Sequence, residues 1–189
     1  MRPGERVPAL LVTADGMVFA GEAAGAARPI AMGELVFNTA MSGYQEVISD
    51  PSYAGQIVAF TSTHIGNYGT NAEDDEAVQP HCRGIVVRDL TVAPSNWRAT
   101  EGLESFLIRH DLPAITGVDT RRLTRHLRRV GAIPCAFGTA GEAALRAAAA
   151  STPTTPAPTG RARSRSRTRS RRSTRSSRSV RRPGADGHS

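Results

Sequence analysis

The sequence predicts a mixed α/β unit over residues 1–150, a Ser/Thr/Pro linker over 151–160 and a disordered Arg/Ser-rich tail over 161–189. Three observations carry this. Short β-prone runs bounded by Gly, Asp and Pro recur through the first half of the chain. Two stretches with apolar residues at helical spacing follow them. The composition then changes abruptly after Ala150. The tail holds 11 of the 24 basic residues against one acid, Asp186, a net of +10. The formal +7 of the 189-residue chain therefore conceals a body with 13 basic and 16 acidic residues, a net of −3.

The first element is a hairpin. Ala9–Thr13 and Met17–Ala20 are apolar runs separated by Ala14-Asp15-Gly16, and Asp-Gly suits a tight turn because Gly accepts a positive φ. Leu35–Asn38 reads as a strand. Tyr44–Ser49 reads as a short helix ended by Asp50-Pro51, since proline disfavours the helical region in the residue before it. Gln56–Thr61 and Gly84–Arg88 read as buried strands, with a polar acidic surface loop, Asn71–Gln79, between them.

Helices dominate the next stretch. Thr100 is a candidate cap for a helix whose Leu103, Phe106 and Leu107 share one face. After a short strand, Pro113–Thr116, Asp119 is positioned to cap a second helix. Leu123, Leu127 and Val130 form its apolar stripe, and Gly131 ends it. Ile133–Phe137 reads as a last strand. Thr139 and Glu142 have capping-box spacing ahead of an alanine-rich helix ending near Ala150. The segment 161–182 holds one large apolar residue, Val180, too little to offset chain entropy by burial.

No 18-residue apolar run spans a membrane and no signal-like stretch opens the chain, so a cytoplasmic protein is expected. The cysteines Cys82 and Cys135 have neither CxxC nor metal-ligand spacing, and a reduced pair fits that compartment. Cys82 lies between His81 and Arg83, neighbours able to lower a thiol pKa, but it precedes a strand, and an ordinary small side chain there is the favoured reading. Cys135 reads as core. His64 has no second ligand at metal spacing and reads as a satisfied structural histidine.

Several long blocks carry a family resemblance. Gly33–Asn71 (GELVFNTAMSGYQEVISDPSYAGQIVAFTSTHIGNYGTN), Gly84–Leu90 (GIVVRDL), Ser95–Arg98 (SNWR) and Gly117–Cys135 (GVDTRRLTRHLRRVGAIPC) closely resemble, in order and spacing, the N-terminal domain of carbamoyl-phosphate synthase small subunits. The resemblance runs from about Ala9 to about Ala140. It departs at Ser62-Thr63, where the family commonly has Tyr-Pro. It implies a three-layer β/β/α swivelling domain. It also implies a partner, the large synthetase subunit, which makes carbamoyl phosphate from bicarbonate, ATP and ammonia, with ATP and Mg bound on that subunit rather than here. The product serves arginine and pyrimidine biosynthesis.

In that family a C-terminal glutamine amidotransferase domain releases the ammonia, using a cysteine in Gly-x-Cys-x-Gly and the His and Glu of His-Pro-Glu. Neither motif occurs in the 189 residues, so no catalytic residue is assigned and no glutaminase activity is expected of the chain alone. One glutamine contact is implied by the resemblance: Ser52, in Asp50-Pro51-Ser52-Tyr53. Read without the family, Ser52 is a turn residue.

Arg121, Arg122, Arg125, Arg128 and Arg129 crowd the second helix opposite its stripe. Two readings stand side by side. One is a solvated face whose late arginines favour the helix dipole; the other is a docking surface for the large subunit, guanidinium forks meeting carboxylates.

The tail also divides two ways. Taken at face value, its 11 arginines would bind nucleic acid in a salt-sensitive, sequence-independent manner, although it has no aromatic residue to stack on bases. Against this, family-like sequence decays near residue 150, and a frame slip in a G+C-rich gene yields monotonous Arg/Ser/Ala/Pro. A truncated subunit is the favoured expectation, the nucleic-acid binder the alternative.

Overall fold

The computed structural model describes residues 6–70, 79–91 and 101–153. Nine strands and four helices alternate along it: β1 (Val7–Thr13), β2 (Val18–Gly25), β3 (Ala31–Asn38), α1 (Tyr44–Ser49), β4 (Gln56–Phe60), β5 (His64–Ile65), β6 (Gly84–Val86), β7 (Asp89–Leu90), α2 (Leu103–Arg109), β8 (Pro113–Thr116), α3 (Thr120–Val130), β9 (Ile133–Gly138) and α4 (Glu142–Ser151). One 3₁₀ turn, Pro51–Tyr53, lies between α1 and β4.

Seven strands close into a ring in the order β1-β2-β8-β6-β4-β3-β9, and β5 pairs with β7 apart from it. The ring has two arcs. Strands β3, β4, β6 and β8 run parallel to one another, while β9, β1 and β2 complete the circuit by antiparallel pairing. The mixed α/β class is thus observed. The strand pairing closes the sheet into a barrel, and α4 packs on the outer side of β1 and β9.

Side-chain alternation explains why the barrel is stable. Leu11, Phe19, Leu35, Ile57, Ala59, Val86, Ile115, Cys135 and Phe137 point inward, and Leu123 and Leu127 of α3 plug the same core. Their neighbours Val58, Phe60, Ile85 and Ala114 face outward beneath α1 and α2, against Tyr44, Ile48, Leu103, Phe106 and Leu107. The parallel arc is therefore buried on both faces, which is why Ile57–Phe60 and Ile85–Val87 are continuous apolar runs rather than alternating ones. On the antiparallel arc Val12 and Ala136 are covered from outside by Leu145 and Ala149 of α4, and Ala24 by the cluster under α2.

Local chemistry sets the boundaries. Gly16, at φ 92°, makes the first hairpin turn, which the Thr13 amide closes on the Met17 carbonyl at 3.0 Å. Asp50 adopts an extended conformation (φ −64°, ψ 119°) before Pro51 and ends α1. The Asp119 carboxylate accepts from the Arg122 amide at 2.9 Å, capping α3, and Gly131, at φ 84°, ends it.

Several expectations are corrected. β2 and β3 are longer than their apolar runs suggest, because pairing to β8 and β9 extends them through weakly β-prone residues. Val130 is 49 % exposed: burial along α3 stops at Leu127, and the last turn runs past the packed face. Gly102, not Thr100, is the N-cap of α2, and Thr100 lies outside the described residues, as does most of the Asn71–Gln79 loop. The Thr139–Glu142 capping box does not form. Gly141 is the cap of α4, the Thr139 amide is held by the Arg28 carbonyl at 3.3 Å, and Glu142 accepts from Arg146 at 2.8 Å instead.

Two stability tests follow from this packing. A Cβ on Gly84 would lie 2.8 Å from the Phe137 ring and 2.9 Å from the Pro113 carbonyl, so Gly84→Ala should destabilise the fold by about 1–3 kcal/mol, seen as a lower urea midpoint. Asp119→Ala should cost about 1 kcal/mol in the same measurement, through loss of the α3 cap.

Candidate functional site

The first candidate is the turn that feeds β4. Asp50 accepts from the Ser52 amide at 2.8 Å, and the Tyr53 amide donates to the Asp50 carbonyl at 3.1 Å. The backbone of the Asp-Pro-Ser-Tyr turn is therefore held rigidly, as a proline-initiated turn with an aspartate at its start should be. The Tyr53 hydroxyl accepts from Asn38 Nδ2 at 3.0 Å, which ties the turn to the end of β3. Ser52 itself is exposed, and its hydroxyl makes no hydrogen bond among the described residues.

Around this turn lies a second ring of order that the sequence did not reveal. Tyr44 and Tyr68 stack at 4.2 Å between centroids. The Tyr68 hydroxyl accepts from the Gly43 amide at 2.6 Å, and the Tyr44 hydroxyl donates to the Gly69 carbonyl at 2.7 Å. Burial, and then the neighbouring Tyr68, raises the Tyr44 phenol well above its ordinary value, keeping it a neutral donor. The pair fixes the start of α1 and leaves Met41 projecting at 88 % exposure. The only sequence signal was a tyrosine beside a glycine in each of two blocks, too common a pattern to assign.

The second candidate is the arginine face of α3. All five arginines are exposed. Arg122 lies over the Phe19 ring at 4.9 Å and Arg128 over Phe37 at 5.9 Å, so each rests on an aromatic edge of the barrel. Between them is a depression of about 470 Å³ lined by Met17, Arg122, Arg125, His126, Arg128 and Arg129. His126 is buried, with Nε2 2.6 Å from Asp15 Oδ2 in the first hairpin. Burial pushes the Asp15 carboxyl up, but the Thr13 hydroxyl and His126 outweigh it and hold the group below its ordinary value.

Ser52 and the arginines do not form one site. Ser52 lies on the turn entering β4, whereas the arginine face adjoins the segment leaving it, Thr61 and Thr63. No hydrogen bond or ion pair among the described residues joins the two.

The cysteines are not reactive centres here. Both are free and buried. Burial pushes the Cys82 thiol up to about 12, the reverse of the lowering that His81 and Arg83 suggested, because those two side chains lie in exposed positions while Cys82 points inward. Cys135 is fully buried in the barrel, and its thiol is raised as well. His64 is exposed and pairs through Nδ1 with Asp89 at 2.8 Å across β5 and β7. Among the described residues no three His, Cys, Asp or Glu side chains group as metal ligands, and no helix is long and apolar enough to cross a membrane. The Arg/Ser tail, 161–189, lies outside the described residues.

Comparison with known proteins places this geometry. Residues 11–137 match the family described as carbamoyl-phosphate synthase small chain, CPSase domain. The chain is 54 % identical over 126 residues to the carbamoyl phosphate synthase small chain of Synechocystis sp., covering 67 % of this chain and 33 % of that protein. It is 56 % identical over 126 residues to the protein of the same name from Thermosynechococcus vestitus, with the same coverage. Over 124 residues it is 56 % identical to that of Salmonella typhimurium, covering 66 % of this chain and 32 % of that one. The chain thus spans about a third of the length of the curated relatives it matches. With the match running from the first barrel strand to the last, across both the Ser52 turn and the arginine helix, the chain belongs to the carbamoyl-phosphate synthase small chain family.

Proposed function

We propose that this chain supplies the scaffold domain of a glutamine-dependent carbamoyl-phosphate synthase and works only in a cytoplasmic complex with a large synthetase subunit. That subunit, carrying ATP and Mg, would make carbamoyl phosphate for arginine and pyrimidine biosynthesis, using ammonia released from glutamine. The observation that carries this reading is the family match across the folded barrel, set against the lack of Gly-x-Cys-x-Gly and His-Pro-Glu anywhere in the 189 residues. Both cysteines present are buried with raised thiol pKa values, so neither is set up to act as a nucleophile.

Within the complex, Ser52 contacts glutamine from this domain's side. Its free, exposed hydroxyl on a rigid turn supports that role. The α3 arginines form a docking surface for carboxylates of the large subunit, supported by their exposure and their lack of ion-pair partners among the described residues. The β/β/α swivelling architecture implied by the family is part of the same proposal. The parallel arc under α1 and α2 faces the antiparallel arc, with α4 as an added layer.

The full chain mixed with a large synthetase subunit should co-elute as a complex on size-exclusion chromatography while releasing no ammonia from glutamine on its own. Glutamine hydrolysis by the isolated chain would refute the reading. When the chain is fused to an active amidotransferase domain, Ser52→Ala should raise the KM for glutamine by about two- to tenfold, the cost of one hydrogen bond, with kcat much less affected.

A further inference from the structure

Two groups stand out among the arginines of the described residues. Arg6, Arg28, Arg109 and Arg146 each pair with a carboxylate: Glu104, Asp111, Glu101 and Glu142 respectively. Arg88, Arg121, Arg125 and Arg128 have no carboxylate partner among the described residues, yet they converge on one cleft of about 460 Å³. Like charges gathered without counter-charges repel one another, so this arrangement costs the free protein stability and favours an anion between them.

The remaining lining of that cleft is chemically uniform. Every other residue in it is a threonine, Thr63 being exposed and Thr61 half-buried at the exit of β4. The Thr124 hydroxyl already donates to the Thr120 carbonyl at 2.7 Å, which leaves Thr61, Thr63 and the buried Thr120 as the hydroxyls not so engaged. No apolar side chain and no carboxylate lines it. The neighbouring depression differs, since Met17 and His126 contribute to its wall. Guanidinium forks beside hydroxyl donors, with no carboxylate among them, suit a compact oxyanion.

We propose that the cleft bounded by Arg88, Arg121, Arg125 and Thr63 is a binding site for phosphoryl oxyanions, inorganic or at the end of a nucleotide. The site lies at the far end of β4 from Ser52 and is distinct from glutamine recognition. The site uses Arg121 and Arg125, which also belong to the proposed docking surface, so it is tested on the free chain, where no large subunit competes for them.

The test is a titration of the full chain with inorganic pyrophosphate at constant ionic strength, followed by NMR of the backbone amides of Thr63, Thr120 and Thr124 and the arginine Nε groups. A local readout separates this cleft from binding anywhere in the arginine-rich tail. Saturable shifts at these positions are expected, weakened about tenfold by Arg121→Gln or by Arg88→Gln. The Arg88 variant changes an exposed residue outside the helix, and unchanged signals from Leu11 and Val86 would verify its fold. ATP giving the same shifts as pyrophosphate, through its phosphate tail, supports the proposal. Equal shifts with sodium chloride or with succinate would overturn it, the latter pointing to carboxylates instead. So would binding that neither substitution weakens.

Discussion

The structure depends on β9 closing the ring. It pairs with β1 on one side and β3 on the other, joining the first antiparallel hairpin to the parallel arc. Without it, β1 and β3 would both present open edges, and an exposed edge is a template for pairing with other chains. The strand carries both faces of the packing as well. Cys135 and Phe137 fill the barrel interior, and Ala136 sits under α4. The small outward residue lets the helix approach closely, while the large inward ring of Phe137 lies against Gly84 on the opposite arc. One strand thus supplies the last hydrogen bonds, the largest interior side chain of its segment and the platform for α4.

This closure explains where the candidate sites lie. The parallel arc is covered on the outside by α1 and α2 and plugged from within by α3, so its strand ends are where polar groups can gather. The turn before β4 carries Ser52, and the segments after β4 and β6 carry Thr63 and Arg88 beside α3. Loops at the ends of parallel strands, held by a rigid sheet, are a common place for binding residues. The charge distribution follows the same geometry. Four arginines elsewhere on the barrel are matched with carboxylates, whereas Arg88, Arg121, Arg125 and Arg128 gather in one cleft that no carboxylate lines.

Much of this was legible in the residues. The bounds of α1 and β8 coincide with the expected ones because Asp50-Pro51 and Gly117 punctuate them. The Asp119 cap and the Gly131 stop of α3 were likewise readable, since each acts within one turn of chain. The Asp15-Gly16 hairpin belongs to the same class. What stayed hidden depends on partners distant in sequence. The lengths of β2 and β3, the ring closure through β9 and the Tyr44–Tyr68 stack all arise from pairing between segments that no local pattern connects. The caps of α2 and α4 failed for a related reason: glycine with extended backbone served as cap, and Thr139 was already held by the Arg28 carbonyl. Ser52 was named through the family resemblance, and the structure adds the held backbone around it. Arg88 was absent from the expected arginine face because it lies 33 positions before Arg121 in the chain.

Everything proposed for this chain presupposes that the 189 residues contain a complete, closed barrel. Native-state hydrogen exchange of the full chain measures that most directly. Amides of β9, at Cys135, Ala136 and Phe137, should be protected as strongly as those of β3 and β4 and should be lost with them in one cooperative opening. Exchange of β9 orders of magnitude faster than β4 would show a ring open at that strand, and would contradict the account.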